Sequence, residues 1–463
     1  MTAIWELNKA KFDFFIERKN MRLKITSFLL FIVILISMLT VFSSASASKE
    51  FPNTDEAKNI CLYNIDADTI VYSKNMQDKI FPASAVKMMT GIIACEILRN
   101  RLDEQVIITD KMLSGAQGFN VKLSSGMSVT AENLLYGLLC GGGNDAALAI
   151  SNLCGGDFDG FVAMMNERAA EMGMKNTHFT NPTGLDDAKM YSTLSDIMIL
   201  AKYASKNDLY VEISSTSSYS YKPLNSSEEI KFFNRNALIS TFYAYGYKND
   251  NTYGLISGNT ELGGYCTIAY AEKNNERYIC AVMGAEADAE NIYSYKLVNS
   301  LLSYAFNNLT YQRIATQGQH ICYADTRFVA TQSNVENRGV SCVIKNDIFA
   351  LTYSDINIEK DLTYRYYLHN DILNAPIGAG MIVGGVDILY NGEIIGTAVL
   401  VTSNEVQAEG ILLFLDRLKN FFSDRLFWLC IVFAVIIFFS YYYFSEFRFH
   451  RKNVKKINYK NFY

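Results

Sequence analysis

Histidine is scarce: only four occur in 463 residues (His178, His320, His369 and His450), and they are scattered. No His-x-x-x-His and no His/Cys cluster is present. That leaves no ligand set for zinc and few possible members for a Ser-His-Asp triad, so no metal and no cofactor is expected. A basic surplus is missing too. The formal charge is −5, and the cations collect at the two ends. Residues 1–24 hold six cations against three acids, and residues 448–463 hold six against none, so the body between them is strongly acidic. Phosphate binding needs a basic face, which excludes nucleic acid as a partner. Charged residues make up only 19% and apolar ones half of the chain, which excludes disorder as the main state. A mean hydropathy of +0.05 excludes a polytopic membrane protein.

Long apolar runs are confined to the ends. Ile25 to Phe42 carries no charge, follows Met21-Arg22-Leu23-Lys24 and precedes Ser43-Ser44-Ala45-Ser46-Ala47. This order of basic, apolar and small residues is that of an export signal. The run is long enough for an uncleaved anchor, but the specific Ala45-Ser46-Ala47 exit favours cleavage after Ala47. The second run, Leu426 to Phe444, has no charge over its length. As a helix it rises about 28 Å, enough to span the hydrocarbon core. The Tyr441-Tyr442-Tyr443 cluster suits a membrane interface, and the cationic tail suits the cytoplasmic side. The stretch from Ile411 to Phe422 is apolar on one broad face and suits the membrane surface. The expected arrangement is an exported protein held at the cell membrane by a single C-terminal pass, with its body on the extracellular or periplasmic side. Export permits disulfides, but the nine cysteines show no local pairing pattern, and free buried thiols are the expected state.

Within the exported part, Ile60–Ile65 and Thr69–Tyr72 flank Asp66-Ala67-Asp68 and predict a β-hairpin. Ala83 to Leu98 has helical periodicity, and residues 130–205 are mostly helical. Gly254 to Tyr270 and Arg277 to Met283 predict antiparallel strands, and Ala287 to Leu309 a closing helix. Strands at both ends with a helical block inserted between them give an α+β domain. Beyond Tyr311, short alternating stretches lead to Asn391-Gly392 between apolar runs, a strong hairpin signal. Residues 311–408 are therefore expected to form a small all-β domain with a spacing or binding role.

Chemistry enters at Ser84-Ala85-Val86-Lys87, which opens a helix. Positions i and i+3 share a helix face, so the lysine amine can sit beside the serine hydroxyl. A hydroxyl needs a neighbouring base to become a nucleophile, and a desolvated lysine can serve. Alone, Ser-x-x-Lys is common and carries little weight.

The context resembles the D-alanyl-D-alanine carboxypeptidase family of low-molecular-weight penicillin-binding proteins. The matching stretches run in family order: Asp66-Ala67-Asp68-Thr69, Phe81-Pro82-Ala83-Ser84-Ala85-Val86-Lys87-Met88-Met89-Thr90, and Leu134-Leu135-Tyr136-Gly137-Leu138-Leu139 leading to Gly143-Asn144-Asp145. Asn181-Pro182-Thr183-Gly184-Leu185-Asp186, Tyr191-Ser192-Thr193 and Gly263-Gly264-Tyr265-Cys266 follow. The resemblance implies a β-lactamase/transpeptidase-like α+β fold over 48–310, the small β domain over 311–408, a juxtamembrane segment over 409–425, a transmembrane helix over 426–444 and a cytoplasmic tail over 445–463. It implies Ser84 as nucleophile, Lys87 as general base and Asn144 as the group that orients substrate and lysine. Ser257, Gly258 and Asn259 then bind substrate along a strand edge, and the backbone N–H groups of Ser84 and Asn259 form the oxyanion hole. The implied substrate is a peptidoglycan stem peptide ending in D-Ala-D-Ala, with β-lactams as covalent inhibitors.

Two departures stand out. Ser-x-x-Lys, Ser-x-Asn and Lys-Thr-Gly together mark penicillin-recognising enzymes, but motif two here is Gly142-Gly143-Asn144 and motif three is Ile256-Ser257-Gly258. A proton-relaying hydroxyl and a lysine are absent. Two readings follow: a carboxypeptidase with impaired turnover, or a catalytically degenerate module that binds peptidoglycan or a cell-wall partner. A β-lactamase fits less well, since membrane attachment and an extra β domain belong to a cell-wall enzyme.

Overall fold

The computed structural model describes residues 50–330 and 339–457. The export signal expected over residues 1–47 lies outside the described residues.

Asp66-Ala67-Asp68 turns the chain between β1 (Ala57–Asn64) and β2 (Thr69–Lys74). Asp68 takes a φ of +48° there, a conformation that Asp tolerates better than most residues. The side chain of Asn64 accepts the Ala67 N–H at 2.7 Å. Much later come β3 (Thr252–Thr260), β4 (Gly264–Lys273) and β5 (Glu276–Ala285). The five strands form one sheet in the order β2-β1-β5-β4-β3. The first and last strands of the domain meet at its centre, and β3 is left as an edge. β3 and β4 pair antiparallel, with Gly258 opposite Cys266 and Ser257 opposite Thr267.

Between β2 and β3 lie α1 (Val86–Leu98), α2 (Ala131–Leu139), α3 (Asn144–Gly155), α4 (Phe158–Glu171), α5 (Leu194–Ala204) and α6 (Asp208–Ser215). In α1 only Glu96 is exposed. A helix apolar nearly all round belongs inside, and α1 packs against α2, α3, α5 and α6. Each fully buried side chain such as Met88, Met89 and Ile92 contributes about 1.5–3 kcal/mol of transfer free energy. This burial carries Lys87, the second residue of α1, under the helical block.

The closing helix α7 spans Tyr293–Asn308 and starts six residues later than the periodicity predicts. Asp288 is the cause: its Oδ1 accepts the N–H groups of Glu290 at 2.8 Å and Asn291 at 2.7 Å, and Ala287 bridges Ile292. Such local side-chain bonds compete with the helix ladder. The segment before α1 also differs. Ala83–Ala85 is a 3-10 turn, and Ala83 has a φ of +48°, a strain of roughly 1–3 kcal/mol placed next to Ser84.

The chain separates into two compact units. The first runs up to Leu62 and includes Tyr72–Ala271 and Cys280–Asn308; the second takes in Tyr63–Val71, Glu272–Ile279 and the chain from Leu309. In the second, β6 (Leu309–Ala315), β7 (His320–Arg327), β8 (Val340–Ile344), β9 (Ile348–Tyr353), β10 (Leu362–Leu368), β11 (Ile372–Asn374), β12 (Ile382–Tyr390) and β13 (Glu393–Thr402) build the β domain. Six of them form a sheet in the order β10-β12-β13-β8-β7-β11, and β6 pairs with β9. Asn391 and Gly392, at φ +50° and +86°, close the β12–β13 hairpin where the sequence places it. The core beneath holds Ile314, Cys342, Ile344, Val386, Ile388 and Leu400.

Two helices follow, α8 (Gly410–Ser423) and α9 (Arg425–Ile457). Ile411, Phe414, Leu415, Leu418 and Phe421 of α8 are exposed. Arg425–Arg448 is long and apolar enough to cross a membrane, with a mean hydropathy of 2.2 and none of it buried.

Candidate active site

α1 and the turn before it supply the first two groups. Ser84 stands half-buried in the 3-10 turn, and Lys87 follows on α1 at 5% exposure. The Lys87 Nζ donates to the Thr183 carbonyl at 2.7 Å, and Thr90 Oγ1 donates to the Pro182 carbonyl at 2.7 Å. Asn181 fixes that loop from inside: its Oδ1 accepts from Thr183 Oγ1 and from the Gly184 N–H, both at 2.8 Å. Burial pushes the Lys87 amine down to about 8; the nearby Cys266 works against this, and the Arg235 charge works with it.

The start of α3 supplies the third group. Asp145 anchors the 117–123 loop, which precedes α2, accepting the N–H of Val121 at 2.9 Å and of Leu123 at 3.0 Å. Asn144 donates its side-chain N–H to the Gln117 carbonyl at 2.6 Å. These bonds bring Gly118 and Phe119 to the pocket. The Asn144 Oδ1 is buried and has no partner among the described residues. A buried carbonyl without a donor is costly, and this one can accept an N–H from a bound molecule.

β3 supplies the last three. Ser84, Lys87, Asn144, Ser257, Gly258 and Asn259 all line one pocket of about 100 Å³, joined by Gly142, Thr183, Leu185, Arg235 and Thr260. The structure therefore brings together every site residue that the sequence singles out. Gly258 lies so close to Ser84 that a Cβ there would stand 2.1 Å from Ser84 Oγ. Only glycine lets the strand edge reach the serine.

The two departures have structural counterparts. Gly142 has a φ of +73°, and a Cβ on it would meet Arg235 Cγ at 3.0 Å. The stem of Arg235 thus takes up the room that a motif-two side chain needs. Ile256 is 5% exposed and lines a neighbouring space of only about 10 Å³, with Gly142, Leu139, Asn234 and Ser257. That is about one water-sized probe, so the ground left by the missing groups is largely filled.

Arg235 is the residue that the sequence does not reveal. Its guanidinium lies 4.2 Å from the Phe119 ring centroid and 4.7 Å from that of Tyr243. Among the described residues these rings, rather than a carboxylate, hold it. Its backbone N–H donates to the Cys140 carbonyl at 3.1 Å, and its neighbour Asn234 is tied to the carbonyls of Ser214 and Thr216 at 2.8 Å each. A cation with no counter-ion among the described residues, at the wall of a polar pocket, can dock an anion.

The arrangement sets a serine hydroxyl, a buried amine, an acceptor without a partner among the described residues and a ring-held guanidinium around one pocket at an edge strand. Residues 45–287 match the family model described as D-alanyl-D-alanine carboxypeptidase. The chain belongs to that family. Residues 324–408 match a second model, that of the C-terminal domain of penicillin-binding protein 5. The D-alanyl-D-alanine carboxypeptidase DacF of Bacillus subtilis is 27% identical over 392 residues, covering 82% of this chain and 95% of that relative. DacA of Haemophilus influenzae is 29% identical over 391 residues, covering 81% and 92%. Among solved structures, penicillin binding protein 5 from Haemophilus influenzae matches with a TM-score of 0.55 at 25% identity, covering 77% of this chain and 99% of that one. DacD from Francisella tularensis matches with a TM-score of 0.61 at 22% identity over 79% and 97%, a likeness of fold. The α+β domain with a β domain and a C-terminal apolar helix is the architecture that the sequence predicts, and membership of this serine carboxypeptidase family gives the enzyme class.

Proposed function

We propose that this chain is a membrane-attached serine D-Ala-D-Ala carboxypeptidase that turns over slowly. The observation that carries this reading is the shared pocket of Ser84, Lys87 and Asn144, with the Lys87 amine held near neutrality by burial. A site without catalysis has no need to desolvate a lysine beside a serine.

In the proposed cycle the stem peptide lies along the free edge of β3, adding to the sheet as a strand. Arg235 and Ser257 receive the terminal carboxylate. Neutral Lys87 takes the Ser84 proton as Oγ attacks the carbonyl carbon of the penultimate residue. The N–H groups of Ser84 and Asn259 hold the oxyanion, and Asn144 Oδ1 accepts the substrate amide N–H. The C–N bond then breaks, the proton held by Lys87 passes to the leaving amine, and D-alanine departs. Water attacks the acyl ester and frees Ser84.

The proton delivery is the slow point. With no hydroxyl at Gly142, the proton travels from Lys87 directly or through water, at a loss of roughly 10²–10⁴-fold. The missing motif-three lysine removes one charge-assisted bond worth about 1.5–3 kcal/mol, which Arg235 partly restores. Oxyanion stabilisation rests on backbone groups and is untouched by either change. The body sits outside the membrane, with the cationic end of the chain on the cytoplasmic side.

The test is release of D-alanine from a peptide ending in D-Ala-D-Ala. Slow release that disappears in Ser84→Ala supports the reading. Absence of release over many hours, together with tight peptide binding, favours the second reading, a peptidoglycan-binding module, to which Gly142 and Ile256 point.

A further inference from the structure

α7 sends one side chain into the catalytic domain's edge strand. Tyr295 is 6% exposed. Its hydroxyl oxygen stands 3.0 Å from Ser257 Oγ and 3.2 Å from the Arg235 carbonyl. The Tyr247 ring, 5.4 Å away between centroids, backs it. One hydroxyl thus touches both segments that face the terminal carboxylate in the proposed cycle, β3 through Ser257 and the Arg235 turn through its backbone. No spacing in the sequence links positions 235, 257 and 295.

The hydroxyl has one proton and two places to put it. The Arg235 carbonyl can only accept. With the pocket free, Tyr295 shares its proton between that carbonyl and Ser257 Oγ. With an anion in the pocket, Tyr295 gives its proton wholly to Ser257, and Ser257 donates its own to the anion. Hydrogen bonds in such a chain polarise one another. Burial also pushes the Tyr295 phenol up, so it keeps the proton that it donates.

We propose that Tyr295 is a positioning residue for carboxylate recognition, acting through Ser257 as a two-hydroxyl donor chain that stands in for part of the cation missing at Ile256. This rests on the carboxypeptidase reading of the pocket. The chain gives the site a neutral means of reading a free C-terminus, beside the charge of Arg235. Tyr295 itself does not touch substrate.

The test uses binding, so that it does not depend on turnover. In a Ser84→Ala background, calorimetry gives the Kd of a peptide ending in D-Ala-D-Ala and of the same peptide with a C-terminal amide. Adding Tyr295→Phe removes one oxygen. The expected result is a Kd about 2- to 10-fold weaker for the carboxylate peptide, the size of one lost hydrogen bond, and little change for the amide. Combining Tyr295→Phe with Ser257→Ala should weaken binding no further than Ser257→Ala alone, because both act on one chain. An unchanged Kd, equal losses for both peptides, losses that multiply, or a Ser84→Ala protein that ignores the carboxylate peptide would each overturn the proposal. Acylation by a β-lactam is judged separately. An adduct on Ser84 with flat Tyr295 binding data sinks the donor chain alone, and absence of the adduct sinks the enzymatic reading.

Discussion

As the base of the proposed cycle, Lys87 would set the pH range in which Ser84 can be activated. Its amine is pushed down to about 8, with burial as the leading cause. Below that pH the amine is protonated and cannot take the serine proton. The second-order rate of β-lactam acylation should therefore rise about tenfold per pH unit up to about pH 8 and level off above it; a flat profile from pH 6 to 10 would remove Lys87 from the base role. Lys87→Arg, which stays protonated, should abolish acylation. At Arg235 the loss is one of docking: Arg235→Ala should weaken KM by about 10- to 150-fold, the equivalent of 1.5–3 kcal/mol, while acylation by a neutral ester substrate changes less. Gly142→Ser tests whether motif two can be repaired. The φ of +73° and the contact with Arg235 predict a stability loss of about 1–2 kcal/mol, read as a fall of a few degrees in Tm, with no gain in D-alanine release. Ser84 and Lys87 were legible through a spacing of three, which the structure splits between the 3-10 turn and α1, and Asn144 was legible through the family resemblance alone. Arg235 and Tyr295 were not. Each reaches the pocket through contacts with residues that are distant in sequence, and nothing in Asn234-Arg235-Asn236 or Tyr293-Ser294-Tyr295 marks them beforehand.

At the scale of elements, the site depends on two anchored loops. The 117–123 loop hangs on Asp145, whose carboxylate accepts from Val121, Leu123 and Ala146. Asp145→Ala leaves those buried donors without an acceptor, at about 1–3 kcal/mol each. The expected outcome is a large fall in Tm and loss of acylation together, since Phe119 and Gly118 shift with the loop; a variant that keeps its Tm would show the loop to be held elsewhere. The hairpins were the most legible elements, because turn chemistry is written in two or three residues: Asp66-Ala67-Asp68 and Asn391-Gly392 form the turns that their composition demands. The start of α7 was the least legible. Periodicity carries the helix back to Ala287, but the Asp288 carboxylate captures two backbone N–H groups and delays it to Tyr293. The 3-10 turn before α1 was also hidden, for an alanine at φ +48° is held there by its surroundings and by nothing in its own side chain.

At the scale of the whole chain, an acidic body precedes a helix, Arg425–Arg448, long and apolar enough to cross a membrane. If the body lies outside, protease added to intact cells should remove the residues before α8 and leave a membrane-held fragment that carries the cationic C-terminus; a protected body would contradict export. The order of the parts was readable from where apolar runs and turn signals change character. Long-range pairing was less so: that β1 meets β5 across the sheet follows from packing rather than from any local stretch. The central claim is that Ser84 is an activated nucleophile despite the two altered motifs. Intact-mass measurement of the full chain after prolonged incubation with excess β-lactam tests it most directly. The account predicts a stable gain of one β-lactam mass in the native protein and none in Ser84→Ala, whereas an unchanged native mass, or an adduct that survives in Ser84→Ala, would contradict it.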